Sequence, residues 1–411
     1  MLLRGLVRHY DWGSRTALAE LTGRPVPTPL PEAELWFGAH PTGSATFADG
    51  STLADHIGAD PRTLLGPAAD RYGAALPLLL KVLAVDRALS IQVHPGAEQA
   101  RTGFVREDAA GVPFDSPHRT YRDDRPKPEL VVALTEFDAL AGFRDEADVV
   151  ALFDALGLPE FEDDRARFAS GGPAALLARW LTLGAPELTR LLNALVDGCH
   201  RLVSAGSGFA GAGFVSDAAT IVRLAAQYPG DAGVLVALLL QHTRLAPGAG
   251  LFLDAGVPHA YLRGVAVEVM TNSDNVIRGG LTTKHVDVPE LLRITRFGTG
   301  PVPIVNPVPD PDTDRVLTYP TPNPDFSLAR IELGDADTTN LTCAGPAIVL
   351  CTAGSVTASC GGTLAAARCG DAVWVPAGTS GTRRIALTGS GTRTQLFAAT
   401  VPSAAAPEGT R

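Results

Sequence analysis

The chain has 411 residues, of which 45% are hydrophobic and 19% are charged, a composition typical of a globular protein with two or three domains. Its net charge of −10 argues against nonspecific binding to nucleic acid. No apolar run approaches the roughly 18 residues that a membrane helix needs. The N-terminal stretch lacks a signal-like apolar core, and the five cysteines are typical of free thiols in a reducing compartment. We therefore expect a cytoplasmic protein with no nucleic-acid or membrane partner.

Residues 1 to about 145 contain short alternating runs separated by Pro and Gly, which predict mostly β structure. The run "ALPLLLKVLAV" predicts a buried strand with one lysine, Lys81, inside it. In "LSIQVHP", apolar and polar residues alternate, so the polar side chains share one face of a strand: Ser90, Gln92 and His94. These three residues are either ordinary surface polar residues or the lining of a cavity.

The next polar pair is in "RPKPELVVAL", where Lys127 and Glu129 are two residues apart and lie on the same strand face. From about residue 146 to 245, leucines recur at helical spacing, which predicts a helical segment. Within it, "DAGVLVALLLQ" follows a Pro-Gly break, and Asp231 is placed to cap a helix there.

The β pattern returns in "GLFLDAGVPHAYLRG", which places His259 and Tyr261 on one face of a strand. A Pro-rich linker follows, and the tail from about residue 325 consists of short Thr, Val and Ala runs with Gly turns. This pattern predicts further short strands. No histidine occurs after His285, so we expect no second metal site in the tail.

Four of these side chains could together hold a metal ion: Gln92, His94, Glu129 and His259. They supply two imidazole nitrogens and two oxygens, which suits zinc with an open position for water, or another borderline divalent metal. The pair Gln92 and His94, and the single His259, are each weak evidence for a metal site when taken alone. Strands commonly expose polar faces, and a histidine after proline is often a turn or core residue.

Five sequence blocks between Tyr10 and Leu292 carry a resemblance to a known family. They are "YDWGS", "AELWFGAHPTGSA", "LPLLLKVLAVDRALSIQVHP", "KPELVVALTEFDALAGFR" and "PHAYLRGVAVEVMTNSDNVIRGGLTTKHVDVPELL". In this order they resemble the type I mannose-6-phosphate isomerases (phosphomannose isomerases) of the cupin superfamily. The helical segment and the tail match that family only loosely.

The resemblance implies a mainly β fold with an α-helical domain. The catalytic domain, residues 1–145 and 246–310, would be a cupin jelly roll interrupted by a helical domain at residues 146–245. Residues 311–411 would form a second, smaller, cupin-like jelly roll without metal ligands. We expect the protein to be a monomer.

The resemblance also implies roles for individual residues. Gln92, His94, Glu129 and His259 would bind one zinc ion per chain, and Ser90 would help to bind phosphate. Arg278, in "NVIRGGL", falls at the family's catalytic arginine.

Three groups remain candidates for the base that moves a proton: Glu268, Lys127 and a zinc-bound water. Of these we favour Glu268, and we include Tyr261 in the catalytic set. Trp12 either forms a wall of the substrate pocket or only packs against its neighbours.

Lysine is rare in this chain, which has three lysines and 31 arginines. All three lysines fall inside the family blocks, and a compact ammonium fits a crowded phosphate or oxyanion pocket where a guanidinium does not. We therefore expect Lys81 and Lys284, with Ser90, to bind phosphate, and Lys127 to serve the metal side. The alternative is that the three positions fall there by chance.

The implied reaction interconverts mannose 6-phosphate and fructose 6-phosphate through a cis-enediol, with a phosphorylated hexose as substrate. Such an enzyme supplies mannose for GDP-mannose and glycan synthesis or channels mannose into glycolysis. The alternatives are an isomerase for another phosphosugar or a free ketose, a cupin oxygenase that uses iron or copper, and a non-catalytic sugar-binding cupin.

Overall fold

The computed structural model describes residues 1–205, 212–298, 300–378 and 382–402. Within these ranges the chain forms 21 β-strands and 11 α-helices, and every strand pairing recorded there joins strands of opposite direction. No helix in the described part of the chain is long and apolar enough to cross a membrane.

The first part of the chain alternates short strands with short helices. Its elements are β1 (Leu2–Leu3), β2 (Leu6–Arg8), α1 (Ala17–Leu21), β3 (Glu34–His40), β4 (Gly43–Ser44), α2 (Leu53–Ala59), α3 (Pro61–Leu65), α4 (Ala68–Tyr72), β5 (Leu78–Val85), β6 (Ile91–Val93), α5 (Ala97–Ala109), β7 (Glu129–Ala133) and β8 (Phe137–Phe143). Local sequence sets some of these boundaries. The Asp60 side chain accepts a hydrogen bond from the Thr63 N–H and caps α3, which begins at Pro61.

The middle of the chain is helical. It contains α6 (Glu146–Leu156), α7 (Glu162–Trp180), α8 (Ala185–Ala205), α9 (Val215–Gln227) and α10 (Gly233–Val236). α7 is interrupted at Gly172, which has a left-handed φ of 59°, and at Pro173, which has no N–H to donate. In α8 the buried leucines recur at helical spacing, as at Leu191 and Leu195, so one face of this helix packs into the core.

The remaining elements are almost all strands. They are β9 (Leu240–Leu245), β10 (Gly250–Leu253), β11 (His259–Thr271), β12 (Ile277–Gly280), α11 (Val288–Ile294), β13 (Ile304–Val305), β14 (Val308–Asp310), β15 (Thr313–Tyr319), β16 (Ser327–Leu333), β17 (Thr338–Cys343), β18 (Ala347–Cys360), β19 (Thr363–Arg368), β20 (Ala372–Val375) and β21 (Arg383–Thr400).

The helix predicted in "DAGVLVALLLQ" is shorter than the sequence pattern indicated. α10 ends at Val236, and a short 3₁₀ helix follows at Ala237–Leu239. The chain then enters β9, which pairs with β8 from Leu240 to Leu245. A short apolar run fits a buried helix or a buried strand equally well, and in this case pairing with a neighbouring strand decides the outcome for its last two residues.

The strands form two sheets. The larger has 12 strands, with β13-β10-β7-β11-β5-β3-β2 as its main path and β4, β6, β8, β9 and β12 joined to it. The smaller has nine strands, with β1-β20-β18-β21-β16-β15-β14 as its main path and β17 and β19 joined to it. The first residues of the chain therefore cross between the sheets, because β1 pairs with β20 whereas β2 pairs with β3.

β11 connects two halves of the larger sheet. Near His259 it pairs with β6 and β8, and from Gly264 onward it pairs with β5 and β7. Gly264 has a φ of 120°, and a Cβ there would lie 2.5 Å from the Glu136 carbonyl oxygen, so this change of partners requires glycine. Side chains from both halves, including Val131 and Tyr261, meet in one apolar cluster between them.

Further layers cover the outer faces of both halves. Leu80 of β5 and Val267 of β11 pack in one cluster with Leu350 and Trp374 of the smaller sheet. On the other side, Ile91 of β6 belongs to the cluster that contains the helical residues of the middle segment. The inner cluster between the two halves is therefore enclosed by the smaller sheet and by the helices.

β5 is buried on both faces, which explains its continuous apolar sequence. Leu80 and Val82 face the smaller sheet, whereas Leu83 and Val85 face the inner cluster. Because side chains alternate along a strand, Lys81 faces inward, towards the same space as Leu83.

We predict that Leu350→Ala destabilises the protein by about 2–5 kcal/mol, because Leu350 is fully buried between the two sheets and its removal leaves a cavity. Unfolding in denaturant measures the change. Leu364→Ala is the matched control, since Leu364 is 69% exposed and its loss should cost less than about 0.5 kcal/mol. Equal effects of the two substitutions would contradict the assignment of this core.

Candidate active site

Three strand ends of the larger sheet bring together a compact group of metal-type ligands. His94 directly follows β6, Glu129 begins β7 and His259 begins β11. Their ligand atoms all lie within 4.8 Å of one another. The Nε2 atom of His94 is 3.3 Å from Glu129 Oε1, and Nε2 of His259 is 3.5 Å from Glu129 Oε2. All three residues are at most 2% exposed.

The two imidazole rings are held so that one nitrogen of each points at the centre of this group. Nδ1 of His94 lies 2.7 Å from the Asn275 carbonyl oxygen, and Nδ1 of His259 lies 2.9 Å from that of Val257. A carbonyl only accepts, so each Nδ1 carries the proton and each Nε2 presents a lone pair. Both Nε2 atoms are buried and lack a hydrogen-bond partner among the described residues.

These residues fit a divalent cation. Burial and the nearby Lys127 ammonium lower the pKa of His94 to about 4, so its ring is neutral, as a metal ligand must be. Two orphaned imidazole nitrogens facing one carboxylate are the donor set of a zinc site with an open position. Gln92 lies opposite His259 on one neighbouring strand and opposite Arg278 on the other, which places its side chain on their face of the sheet.

Glu129 also has two further polar neighbours. The Lys127 ammonium lies 3.0 Å from its Oε1, and the Tyr261 hydroxyl lies 3.3 Å from its Oε2. Burial opposes ionisation of Glu129, but the charge of Lys127 outweighs it and holds the pKa of this carboxyl well below its usual range. The carboxylate is therefore charged and available to a cation.

A second buried ion pair lies on the inner face of the same sheet. Lys81 of β5 is opposite Glu268 of β11, with its Nζ 3.0 Å from Glu268 Oε2. The Tyr261 hydroxyl lies 3.0 Å from Glu268 Oε1 and 3.3 Å from Glu129 Oε2, so its single proton lies between the two carboxylates. Burial, together with the nearby charge of Glu129, raises the pKa of Glu268 even though Lys81 opposes the shift.

A separate group of cations lies near β12. Arg278 is half-buried and Lys284 is exposed, and neither side chain has an acidic partner in the part of the chain that the structure describes. Burial and the charges of Arg278 and Arg122 lower the pKa of Lys284, and burial with Arg122 lowers the pKa of Arg278. Two cations without acidic partners among the described residues, with the charge of Arg122 acting on both, are an arrangement suited to a dianion.

Lys81 and Lys284 have different electrostatic surroundings. Burial disfavours the Lys81 ammonium, but Glu268, Glu34 and Glu129 outweigh this and raise its pKa. An ammonium surrounded by three carboxylates is a poor site for phosphate, because the carboxylates repel a second anion. This placement does not favour the expectation that Lys81 shares a phosphate pocket with Lys284.

The remaining predicted residues, Ser90 and Trp12, are both half-buried. Ser90 precedes β6 and is separated from Gln92 by one residue, so the two share a face. Trp12 stacks on Tyr10 with ring centroids 5.8 Å apart and packs against the inner apolar cluster.

Sequence reasoning missed the role of Asn275, which is completely buried. Its carbonyl orients His94, its side-chain oxygen accepts from the Arg122 N–H at 2.7 Å, and its amide donates to the Asp123 and Arg125 carbonyls. Asn275 thus connects a metal-type ligand to the loop that carries Arg122.

Sequence reasoning also missed Asp274, which lies 3.4 Å from His40. Burial opposes its ionisation, but the hydrogen bond from His40 and the charges of His40 and Lys127 lower its pKa. The signal for both residues was the polar run "TNSDN" between two predicted strands. Such a run is unusual for a buried segment, because buried polar groups need partners.

Comparison with known proteins gives consistent results across sequence and structure. The profile of the family "Phosphomannose isomerase type I, catalytic domain" matches residues 1–146. The mannose-6-phosphate isomerase of Escherichia coli (strain K12) is 38% identical over 364 residues, which cover 85% of this chain and 88% of that protein. The Bos taurus mannose-6-phosphate isomerase is 32% identical over 392 residues, covering 86% of this chain and 87% of that protein.

Solved structures resemble the whole chain. The crystal structure of mannose 6-phosphate isomerase from Salmonella typhimurium bound to its substrate, fructose 6-phosphate, and to zinc has a TM-score of 0.86 and 34% sequence identity, covering 98% of this chain and 99% of that chain. A mainly β fold with a jelly-roll catalytic part, a helical region and a second, smaller β part is therefore confirmed. With this identity and coverage, the chain belongs to the type I mannose-6-phosphate isomerase family.

Proposed function

We infer that this protein is a zinc-dependent aldose–ketose isomerase that interconverts mannose 6-phosphate and fructose 6-phosphate. The observation that carries the inference is the pair of buried, unpartnered imidazole nitrogens of His94 and His259 facing Glu129. The family relationship supports the substrate, since a Salmonella typhimurium relative was solved with fructose 6-phosphate and zinc. A coupled assay with mannose 6-phosphate tests the inference directly. Oxygen consumption, or turnover only of an unphosphorylated or different sugar, would favour the alternatives.

His94, Glu129 and His259 hold the zinc ion, with Gln92 as the fourth ligand. When bound, zinc supplies Lewis-acid stabilisation of negative charge that develops on the substrate oxygens. Lys127 forms an ion pair with Glu129 next to the ligand set. Lys127 thereby adds a positive charge where the enediol oxygens become negative.

The substrate phosphate binds on the cationic side of the pocket. Lys284 and Ser90 contact the phosphate, and Arg122 adds positive charge. Arg278 lies beside Gln92 in the strand ladder and so between the metal ligands and Lys284. From there its guanidinium stabilises the enediol, and Trp12 forms a wall of the pocket.

Glu268 moves the proton between C2 and C1. A general base works best when its pKa is close to the working pH, and burial raises the pKa of this carboxyl towards that range. Tyr261 and Lys81 each donate to one of its oxygens and fix its orientation. The carboxylate takes the C2 proton of the aldose as the cis-enediol forms and returns it to C1 to give the ketose. The hydroxyl proton of O2 passes to O1 in the same conversion, which balances the step, and the reverse reaction retraces these transfers.

The two sheets divide the chain near the expected domain boundaries but not at them, because β1 and β14 belong to the smaller sheet and β9 belongs to the larger one. We propose that residues 1–145 and 246–310 form the catalytic domain, residues 146–245 a helical domain, and residues 311–411 a domain without metal ligands. One observation supports the last assignment. The single metal-type cluster in the described ranges consists of residues on or next to strands of the larger sheet, and none of them belongs to residues 311–411. We further propose that the protein acts as a monomer in the cytoplasm.

We predict that the purified protein carries one zinc per chain and that His259→Ala loses both the metal and the activity. The substitution removes one of two lone pairs that the structure presents to the ion. Metal analysis of the purified variants measures the loss. His56→Ala is the matched control, because His56 lies in α2 and its ring contacts Ser51 rather than the ligand group. Unchanged zinc in the His259 variant would remove this residue from the ligand set.

We predict that Arg278→Lys lowers kcat by at least about tenfold, because an ammonium cannot reproduce the planar charge of a guanidinium. Steady-state kinetics with mannose 6-phosphate measures the change. Arg244→Lys serves as the control. Arg244 lies on β9, its side chain is exposed, and it forms an ion pair with Asp138 of β8. Wild-type kinetics in both variants would exclude Arg278 from the mechanism.

We predict different effects for the two lysines. Lys284→Ala should raise the KM for mannose 6-phosphate at least about tenfold, because a charged hydrogen bond to the phosphate is lost, with little effect on an unphosphorylated sugar. Lys81→Ala should lower kcat and stability, because Glu268 is left buried without its ion-pair partner. If both variants instead raise KM equally and only for the phosphorylated substrate, Lys81 also binds the phosphate, as the sequence suggested.

A further inference from the structure

The connection between α9 and α10, residues 227–233, contacts both strands that carry the residues of the substrate pocket. At one end, the Gln227 side-chain oxygen accepts from the Ala88 N–H at 3.0 Å, and the Tyr228 hydroxyl donates to the Ala88 carbonyl. Ala88 lies just before Ser90 and β6. At the other end, Asp231 contacts the turn that follows β12. The helical segment therefore reaches both sides of the pocket.

The Asp231 carboxylate accepts three backbone hydrogen bonds. Its Oδ1 accepts from the Gly233 N–H at 2.6 Å and from the Leu281 N–H at 2.9 Å, and its Oδ2 accepts from the Thr282 N–H at 2.9 Å. Only the first of these bonds belongs to α10, the helix that the sequence expected Asp231 to cap. The other two attach the helical segment to the turn after Arg278.

This turn needs external support because two of its residues have a left-handed backbone. Gly280 has a φ of 122° and Leu281 a φ of 53°, and a leucine adopts this conformation only at a cost. The turn also lies directly on the start of α10. A Cβ on Gly280 would lie 2.4 Å from the Gly233 Cα atom, so the two backbones are in contact. Such strain persists only where neighbouring groups hold it.

The turn determines where Lys284 stands. The Thr282 hydroxyl accepts from the Lys284 N–H at 3.1 Å, so a series of hydrogen bonds runs from Asp231 through Thr282 to the Lys284 backbone. The Lys284 side chain itself is exposed and forms no ion pair in the described ranges. Its backbone is therefore the part of the residue that the protein holds in place.

We propose that Asp231 is a positioning residue for phosphate recognition, fixing the turn of residues 280–284 so that the Lys284 ammonium meets the substrate phosphate beside Arg278. The proposal rests on the proposed function of Lys284. Asp231 does not touch the substrate, because its carboxylate oxygens are engaged by backbone N–H groups. It acts through Thr282, and it makes the helical segment part of the substrate pocket.

Two substitutions test the proposal. Asp231→Asn keeps the size of the side chain but turns an N–H towards a backbone donor, and Thr282→Val removes the hydroxyl that accepts from Lys284. Both should raise the KM for mannose 6-phosphate about tenfold, since small displacements of a positioning group have effects of this order. Both should weaken the binding of inorganic phosphate, measured by calorimetry on the zinc-loaded protein, by a similar factor. Zinc content should stay at one per chain.

Unlike Thr282→Val, the variant Thr282→Ser should have the KM and the phosphate affinity of the wild-type protein, because serine retains the accepting hydroxyl. Asp60→Ala is the control for a carboxylate that caps a remote helix, and it should change neither quantity. The proposal would be overturned if both test variants kept KM and phosphate affinity within about twofold of wild type. A parallel loss of zinc would also overturn it, because that loss would indicate a general structural role. If the wild-type protein lacked isomerase activity, the proposed function would fail, while the phosphate measurements would still decide the role of Asp231.

Discussion

The negative charge of Glu129, buried at the start of β7, is the constraint on which the rest of the site depends. A buried carboxylate is costly unless it is compensated. The Lys127 ammonium and the Tyr261 hydroxyl compensate this one directly, and the two neutral imidazoles present the nitrogens that would share a cation with it. They come from β6, β7 and β11 or from residues next to these strands. The registers of three strands must therefore all be correct before the charge is satisfied, which links the fold of the larger sheet to the chemistry of its site.

The pocket contains two electrostatic environments, one with paired charges of both signs and one with positive charges only. On the inner face of the sheet, the charges are paired and buried, as in Lys81 with Glu268. Near β12, Arg278 and Lys284 stand without acidic partners in the described part of the chain, and their pKa values are lowered. The first environment is suited to holding a metal and moving a proton, since its charges are fixed by their partners. The second has unsatisfied positive charge, which only a bound anion neutralises.

Much of this site could be predicted because its residues occur in pairs spaced by two, and a strand places such pairs on one face. This reasoning identified His94, Glu129 and His259, which the structure brings together. It could not locate Lys81, because the sequence does not tell which carboxylate lies opposite it on the neighbouring strand. It also missed Asn275, whose role depends on hydrogen bonds to a distant loop. The last two residues of "DAGVLVALLLQ" lie in β9 because β8 is available as a partner, which is long-range information.

The pairing of β1 with β20 has a consequence for the order in which the protein folds. Leu2 and Leu3 lie opposite Val373 and Ala372, so this pairing joins two strands that are very far apart in the sequence. Contacts of such large sequence separation form late, since the entropy of closing the loop opposes them. The smaller sheet therefore gains this edge strand late in folding, and until then the side chains of Leu2 and Leu3 have no partners in that sheet.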